Sequence, residues 1–174
     1  VEVDLTAVEN TVEWVPGLRT EAFTYDGYSP GPTIEAKVGD TLILNFTNDL
    51  PEETIVHWHG VETPANMDGS HISQLPIPPG GSFRYEFPLL RARTAWYHAH
   101  IRSNEQIERG LYGALVVRDP AEDAALDLPT TEHVLLLDDV LLEDDGAVAP
   151  VWPSDPVERL SMQLNGREGN HLLV

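Results

Sequence analysis

The chain has 174 residues, room for one domain of ordinary size and a remainder. It carries 29 acids against 10 bases, a formal net charge of -19, which argues against nucleic acid and anionic membrane surfaces because both need clustered Lys or Arg. With no cysteine it excludes disulfides, thiolate zinc sites, cysteine nucleophiles and a thiolate-ligated blue copper within these residues, and no run approaches the roughly 18 apolar residues of a membrane helix.

Taken in order, Val1 to Val8 alternates apolar and polar residues, as a half-buried strand does. Thr20 to Tyr25 and Ile34 to Val38 are further extended runs, separated by the turn cluster Asp26-Gly27-Tyr28-Ser29-Pro30-Gly31-Pro32. Gly39-Asp40 turns into Thr41–Asn48, where Leu42, Leu44 and Phe46 share one face. Thr54 to His59 ends on His57-Trp58-His59. Gly60 to Gly81 is a long Pro- and Gly-rich connection; loops that long are functional or disordered, and because this one leaves a strand ending on the histidine pair it is expected to be ordered. Ser82 to Phe87 alternates strictly, with Phe83, Tyr85 and Phe87 inward. Thr94 to His100 ends on His98-Ala99-His100, Ser103 to Arg109 suits one helical turn, and Gly110 to Arg118 is an apolar strand. Short strands between turn clusters predict an all-β, antiparallel sandwich or barrel.

Composition changes at Asp119. Residues 120–130, with Pro120 and Pro129, read as a linker after a first domain of residues 1–119. His133 to Leu137 reads as a new strand, and Asp138-Asp139 and Asp144-Asp145-Gly146 as turn and surface acids. The calcium-loop order of acids is absent. Residues 131–174 are too short for a core of their own and stop on Leu172-Leu173-Val174, so they are expected to begin an incomplete second domain. A start at Val1 without methionine suggests numbering that begins after processing or a cut.

The two H-x-H pairs carry the chemistry. Along a strand, alternate side chains share a face and rise about 6.6 Å over two residues. His57 and His59 therefore point together, as do His98 and His100. Two such strands side by side present four imidazoles to one space, a donor set for copper or zinc. Trp58, Trp96 and Tyr97 are expected to pack the opposite face. His71, His133 and His171 stand alone and read as structural or surface histidines.

A family resemblance rests on these residues in order: Gly31-Pro32-Thr33-Ile34, Gly39-Asp40, His57-Trp58-His59-Gly60, Pro76-Ile77-Pro78-Pro79-Gly80-Gly81-Ser82-Phe83-Arg84-Tyr85, Trp96-Tyr97-His98-Ala99-His100 and Glu108-Arg109-Gly110-Leu111-Tyr112-Gly113-Ala114-Leu115-Val116-Val117. Together they resemble the N-terminal cupredoxin domain of the laccase-like multicopper oxidases. Leu136-Leu137-Asp138-Asp139 through Asn165-Gly166-Arg167 is similar, less specifically, to the start of the family's second domain.

The resemblance implies a cupredoxin-like Greek-key β-sandwich. It implies one-electron oxidation of a reducing substrate, by default a phenol or aromatic amine, coupled to reduction of dioxygen to water. His57 would bind a type 2 copper, His59 and His98 would share one type 3 copper, and His100 would bind the other. Asp68, in Met67-Asp68-Gly69, would orient water and relay protons. The type 1 copper and the other cluster ligands would come from remaining cupredoxin domains, of the same chain or another. The working place would be extracellular or periplasmic. Only Met67 and Met162 are methionines, which disfavours a cuprous oxidase. The alternatives are a non-enzymatic copper-binding module for resistance or assembly, and a mononuclear zinc or iron enzyme using one histidine pair.

Lys37 is the single lysine. A lysine-poor, acid-rich surface stays hydrated at high salt, and self-repulsion at low salt destabilises the compact state. The melting temperature is therefore expected to rise between low and molar potassium chloride; a flat profile would remove salt adaptation and leave only an acidic composition.

Overall fold

A computed structural model describes residues 1–126, 131–150 and 160–168. The strands are β1 (Glu2–Val15), β2 (Leu18–Tyr25), β3 (Gly31–Lys37), β4 (Thr41–Asn48), β5 (Val56–His59), β6 (Ser82–Pro88), β7 (Arg93–Ala99) and β8 (Tyr112–Arg118). They form two four-stranded sheets, ordered β2-β1-β4-β6 and β3-β8-β7-β5. One core lies between them: Leu5, Phe23, Leu42, Leu44, Phe46, Tyr85 and Phe87 from the first meet Ile34, Val56, Trp58, Tyr97, Leu115 and Val117 from the second. This is the expected all-β sandwich.

The sheets are mixed rather than purely antiparallel. β1 runs parallel to β4, from Glu2↔Ile43 to Ala7↔Asn48, and β3 runs parallel to β8. The chain crosses between sheets after β2, β3, β4, β5 and β6, and such crossings allow parallel neighbours where hairpins do not.

Three boundaries differ from the sequence expectation. β1 continues to Val15 because its outer half, Ala7 to Val15, pairs with β2 instead of β4. The stretch read as linker opens with a short helix, α2 (Pro120–Leu126), after α1 (Ser103–Gln106). Asp119 starts it: its Oδ1 accepts from the amides of Ala121 at 3.0 Å and Glu122 at 3.3 Å, and Pro120 stands at the first helical position, where proline suits. The strand expected at His133 to Leu137 lies instead at β9 (Leu137–Leu141), which pairs with β10 (Leu160–Leu164). Leu135 and Leu137 are exposed, whereas Val140 and Leu142 are buried against Trp14 and Ala22 of the β1–β2 hairpin. Burial therefore selected the later residues. Asp138, read as a turn acid, is a strand residue half-buried beside Tyr112. β11 (Arg167–Glu168) completes this three-stranded sheet. Residues 127–130 and the closing Leu172-Leu173-Val174 lie outside the described residues.

β5 is held at its start by Tyr85. The buried Tyr85 hydroxyl accepts from the Val56 amide at 3.0 Å and from Gln74 Nε2 at 3.1 Å. Tyr85→Phe orphans both donors, a loss of about 1–3 kcal/mol for each. The urea midpoint should fall accordingly with an unchanged slope; a midpoint equal to that of the parent chain would deny the hydroxyl this role.

Candidate metal centre

β5 and β7 pair antiparallel with His57 opposite His98, Trp58 opposite Tyr97 and His59 opposite Trp96. Alternation then sorts the side chains. Trp58 and Tyr97 are fully buried, Trp58 edge-on to Phe87 at 5.1 Å and to Tyr85 at 5.6 Å. The imidazoles leave by the other face. β7 ends at Ala99, but the His100 amide donates to the Ile55 carbonyl at 3.0 Å, so the second pair stays in line.

All four predicted histidines come together. The His57 ring centroid lies 5.9 Å from His59, 5.2 Å from His98 and 4.9 Å from His100. His57, His59 and His98 each offer a ring nitrogen within 4.8 Å of the others. His59 Nδ1 and His98 Nε2 are 3.3 Å apart, the spacing of two nitrogens bound tetrahedrally to one ion through bonds of about 2.0 Å.

Protein carbonyls set the tautomers. His57 Nδ1 is 2.6 Å from the Asp68 carbonyl, which only accepts, so Nδ1 carries the proton and Nε2 keeps its lone pair. His98 Nδ1 donates to the Ala99 carbonyl at 2.9 Å, leaving Nε2 as the lone pair towards His59. His98 is 5 % exposed, and burial, then the neighbouring histidines, push its pKa down to about 4. His100 is lowered too, by burial and then by His57 and His71. His98 and His100 are thus kept in the neutral form that binds metal. His100 Nδ1 is buried without a hydrogen-bond partner. Neutral nitrogen donors with no thiolate fit copper or zinc.

Asp68 reaches the same place. Its Oδ2 is 3.6 Å from His57 Nδ1, and its Oδ1 accepts from Thr63 Oγ1 at 3.0 Å. Gly69, at φ +75°, lies so close to β5 that a Cβ would collide with the Val56 carbonyl. The loop Gly60 to Gly81 includes a single 3-10 turn, Ala65–Met67, and is ordered against the strand.

Two expectations need correction. Trp96 does not share the opposite face with Trp58 and Tyr97. It is two residues from His98 and on its side, with ring centroids 4.1 Å from His98 and 5.0 Å from His59, forming a wall of the site. His71 is not remote either: its ring lies 6.1 Å from that of His100. Alternation could have revealed Trp96; no spacing in the sequence announces His71, because a loop returns it. His133 is exposed and apart, and His171 lies outside the described residues.

The low pKa of His98 has a thermodynamic consequence. Its folded value, about 4, lies below the ordinary histidine value of 6.5, so the stability it contributes is complete above pH 6.5 and is lost as pH falls towards 4. Glu108 has the opposite sign: burial, then Asp138 and Asp139, raise it to about 7, so its contribution fades as pH rises through that value. Comparing the metal-free chain with His98→Gln cancels Glu108. The difference in melting temperature between the two should change steadily from pH 6.5 to 4 and be constant above; a pH-independent difference would contradict the shift.

A sequence model described as multicopper oxidase matches residues 6–122. Copper resistance protein A of Escherichia coli is 40% identical over 141 residues, 79% of this chain and 22% of that protein. A multicopper oxidase of Mycobacterium tuberculosis is 40% identical over 123 residues, 71% of this chain and 23% of that protein. The chain thus spans less than a quarter of the length of these curated relatives. Among solved structures, a multi-copper oxidase from Pseudomonas thermotolerans superposes with a TM-score of 0.83 at 34% identity, over 97% of this chain and 42% of that one. The blue copper oxidase of Nitrosomonas europaea gives 0.84 at 28% identity, over 95% and 53%. The sandwich is cupredoxin-like, and the chain belongs to the multicopper oxidase family.

Proposed function

We propose that this chain supplies one half of the oxygen-reducing copper centre of a laccase-like oxidase. The observation that carries the reading is the convergence of His57, His59, His98 and His100 on one open face, with His59 Nδ1 and His98 Nε2 3.3 Å apart. In this reading His57 holds a type 2 copper through Nε2, His59 and His98 share one type 3 copper, and His100 serves the other. Bound copper supplies the redox chemistry: electrons from a reducing substrate, by default a phenol or aromatic amine, pass to dioxygen, which becomes water.

The chain's own groups prepare the site. The Asp68 carbonyl fixes the His57 tautomer and ring orientation. Asp68 Oδ1 is occupied by Thr63, so Oδ2 is the oxygen that orients a water and moves a proton. Trp96 covers one flank of His59 and His98. Residues 1–119 form the first cupredoxin domain and residues 131–174 begin a second, joined through 120–130. The remaining copper ligands, including the type 1 set that needs a cysteine, come from further cupredoxin domains. The place of action is extracellular or periplasmic; no helix among the described residues is long and apolar enough to cross a membrane. A second reading, a copper-binding module without oxidase activity, draws support from the relatives named for copper resistance.

Metal analysis and oxygen uptake on the full-length protein test both. The expected result is bound copper with oxygen consumption driven by a phenol. His98→Ala should lower the copper content and abolish uptake, and Asp68→Asn should keep copper while slowing uptake about 10–100-fold. Copper without oxygen consumption would favour the binding module, and zinc or iron in place of copper would overturn the proposal.

A further inference from the structure

The loop after β5 brings another imidazole to the mouth of this site. At one end Gly69 presses on the Val56 carbonyl. At the other, Gln74, 8 % exposed, is tied to the Tyr85 hydroxyl at 3.1 Å. Between these anchors the amides of Ser73 and Gln74 donate to the Ser70 carbonyl at 3.0 and 2.9 Å, closing a turn. His71 rides on that turn, exposed to solvent but held in place.

Its ring is 6.1 Å from the His100 ring, with the planes 26° apart. His59 and His98, whose nitrogens nearly meet, have ring centroids 5.5 Å apart. Two metal–nitrogen bonds of about 2.0 Å plus the ring radii span such a gap. Asp68, on the same loop, adds a carboxylate whose charge acts on His100. Behind them His98 is 5 % exposed. An ion arriving from water therefore meets the exposed imidazoles of His71 and His59, and the half-buried His57 and His100, before it meets the buried His98. The net charge of -19 raises the concentration of cations around the chain.

We propose that His71 is a loading ligand: it captures a copper ion at the mouth, shares it with His100, and releases it inward to the resident set around the buried His98. The inference rests on the copper reading of His57, His59, His98 and His100. Each step is ligand exchange: on capture a bond from the ion to water or chelator breaks as the His71–metal bond forms, on inward transfer the His71–metal bond breaks as one to a resident imidazole forms, and the ion keeps its oxidation state. His71 is absent from the resident set and is needed for speed, not for final occupancy.

The test is anaerobic uptake of cuprous ion by the full-length metal-free protein from a coloured chelator, followed by stopped flow, with final copper measured by metal analysis. His71→Ala and His71→Gln should both slow uptake by about tenfold or more and leave the final copper count unchanged. His71→Met, which restores a soft ligand for cuprous ion, should recover most of the rate. Variant rates equal to that of the parent protein would overturn the loading role. A reduced final count at an unchanged rate would overturn it too, making His71 a resident ligand. A parent protein that takes up no copper would instead remove the underlying site, and the inference with it.

Discussion

The pairing of β5 with β7 sets His57 opposite His98, yet β5 is four residues long and lies at the edge of its sheet. A single ladder of that length does not fix its own register. Neighbours do so instead. The Tyr85 hydroxyl takes the Val56 amide at 3.0 Å, and Trp58 is wedged among Tyr85, Phe87 and Tyr97. Just upstream, the buried Thr54 hydroxyl donates to Gln106 at 2.8 Å, and Gln106 Nε2 donates to the Glu53 carbonyl at 2.9 Å. That amide links the approach to β5 with the helix after β7. A slip of one residue would turn His57 and His59 into the core and expel Trp58. The large buried ring makes that exchange costly, so an apolar side chain on one face holds polar ones in place on the other.

The exposed face is polar by a different logic. Burial, and then crowding, depresses the pKa values of His98 and His100, because both rings are partly desolvated and would share their space with other positive charges. Protons are poor guests in such a pocket. A metal ion accepts several lone pairs at once, which a proton does not, and the carbonyls of Asp68 and Ala99 already hold two of the rings in the tautomer that exposes Nε2. Asp68 has two tasks in one residue: its backbone orients His57, while its carboxylate faces the pocket. Gly69 makes this possible, since only a residue without a side chain allows the loop to approach Val56 closely enough.

Beyond β8 the chain does not simply trail away. Val140 and Leu142 share a small core with Trp14 and Ala22, so the outer half of the first hairpin is the seat for β9. Glu108 and Asp138 are drawn together at this junction, and burial among like charges raises both pKa values. The extension of β1 to Val15 serves that packing. It has no counterpart in the alternation of residues 1–8, which reports only on the first core.

Much of this was legible from the chain alone. Strict alternation between Gly39-Asp40 and the turn after Asn48 delimits β4 at both ends, because period-two burial and turn chemistry are local properties. The spacing of each H-x-H pair determines that its two rings share a face, for the same reason. Asp119-Pro120 with Glu122 is a readable helix start, though prolines and acids also compose linkers and composition alone does not separate the two. Other features belong to the folded molecule. Which residues near Leu137 pair as a strand depended on a partner surface at Trp14, remote in sequence. The meeting of the two histidine pairs needed the register of β5 on β7, and the nearness of His71 to His100 needed a loop pinned at Gly69 and Gln74. The sequence by itself determined which donors exist and which way each strand presents them; tertiary structure decided which donors meet, because distances between segments are set by packing that no local pattern encodes.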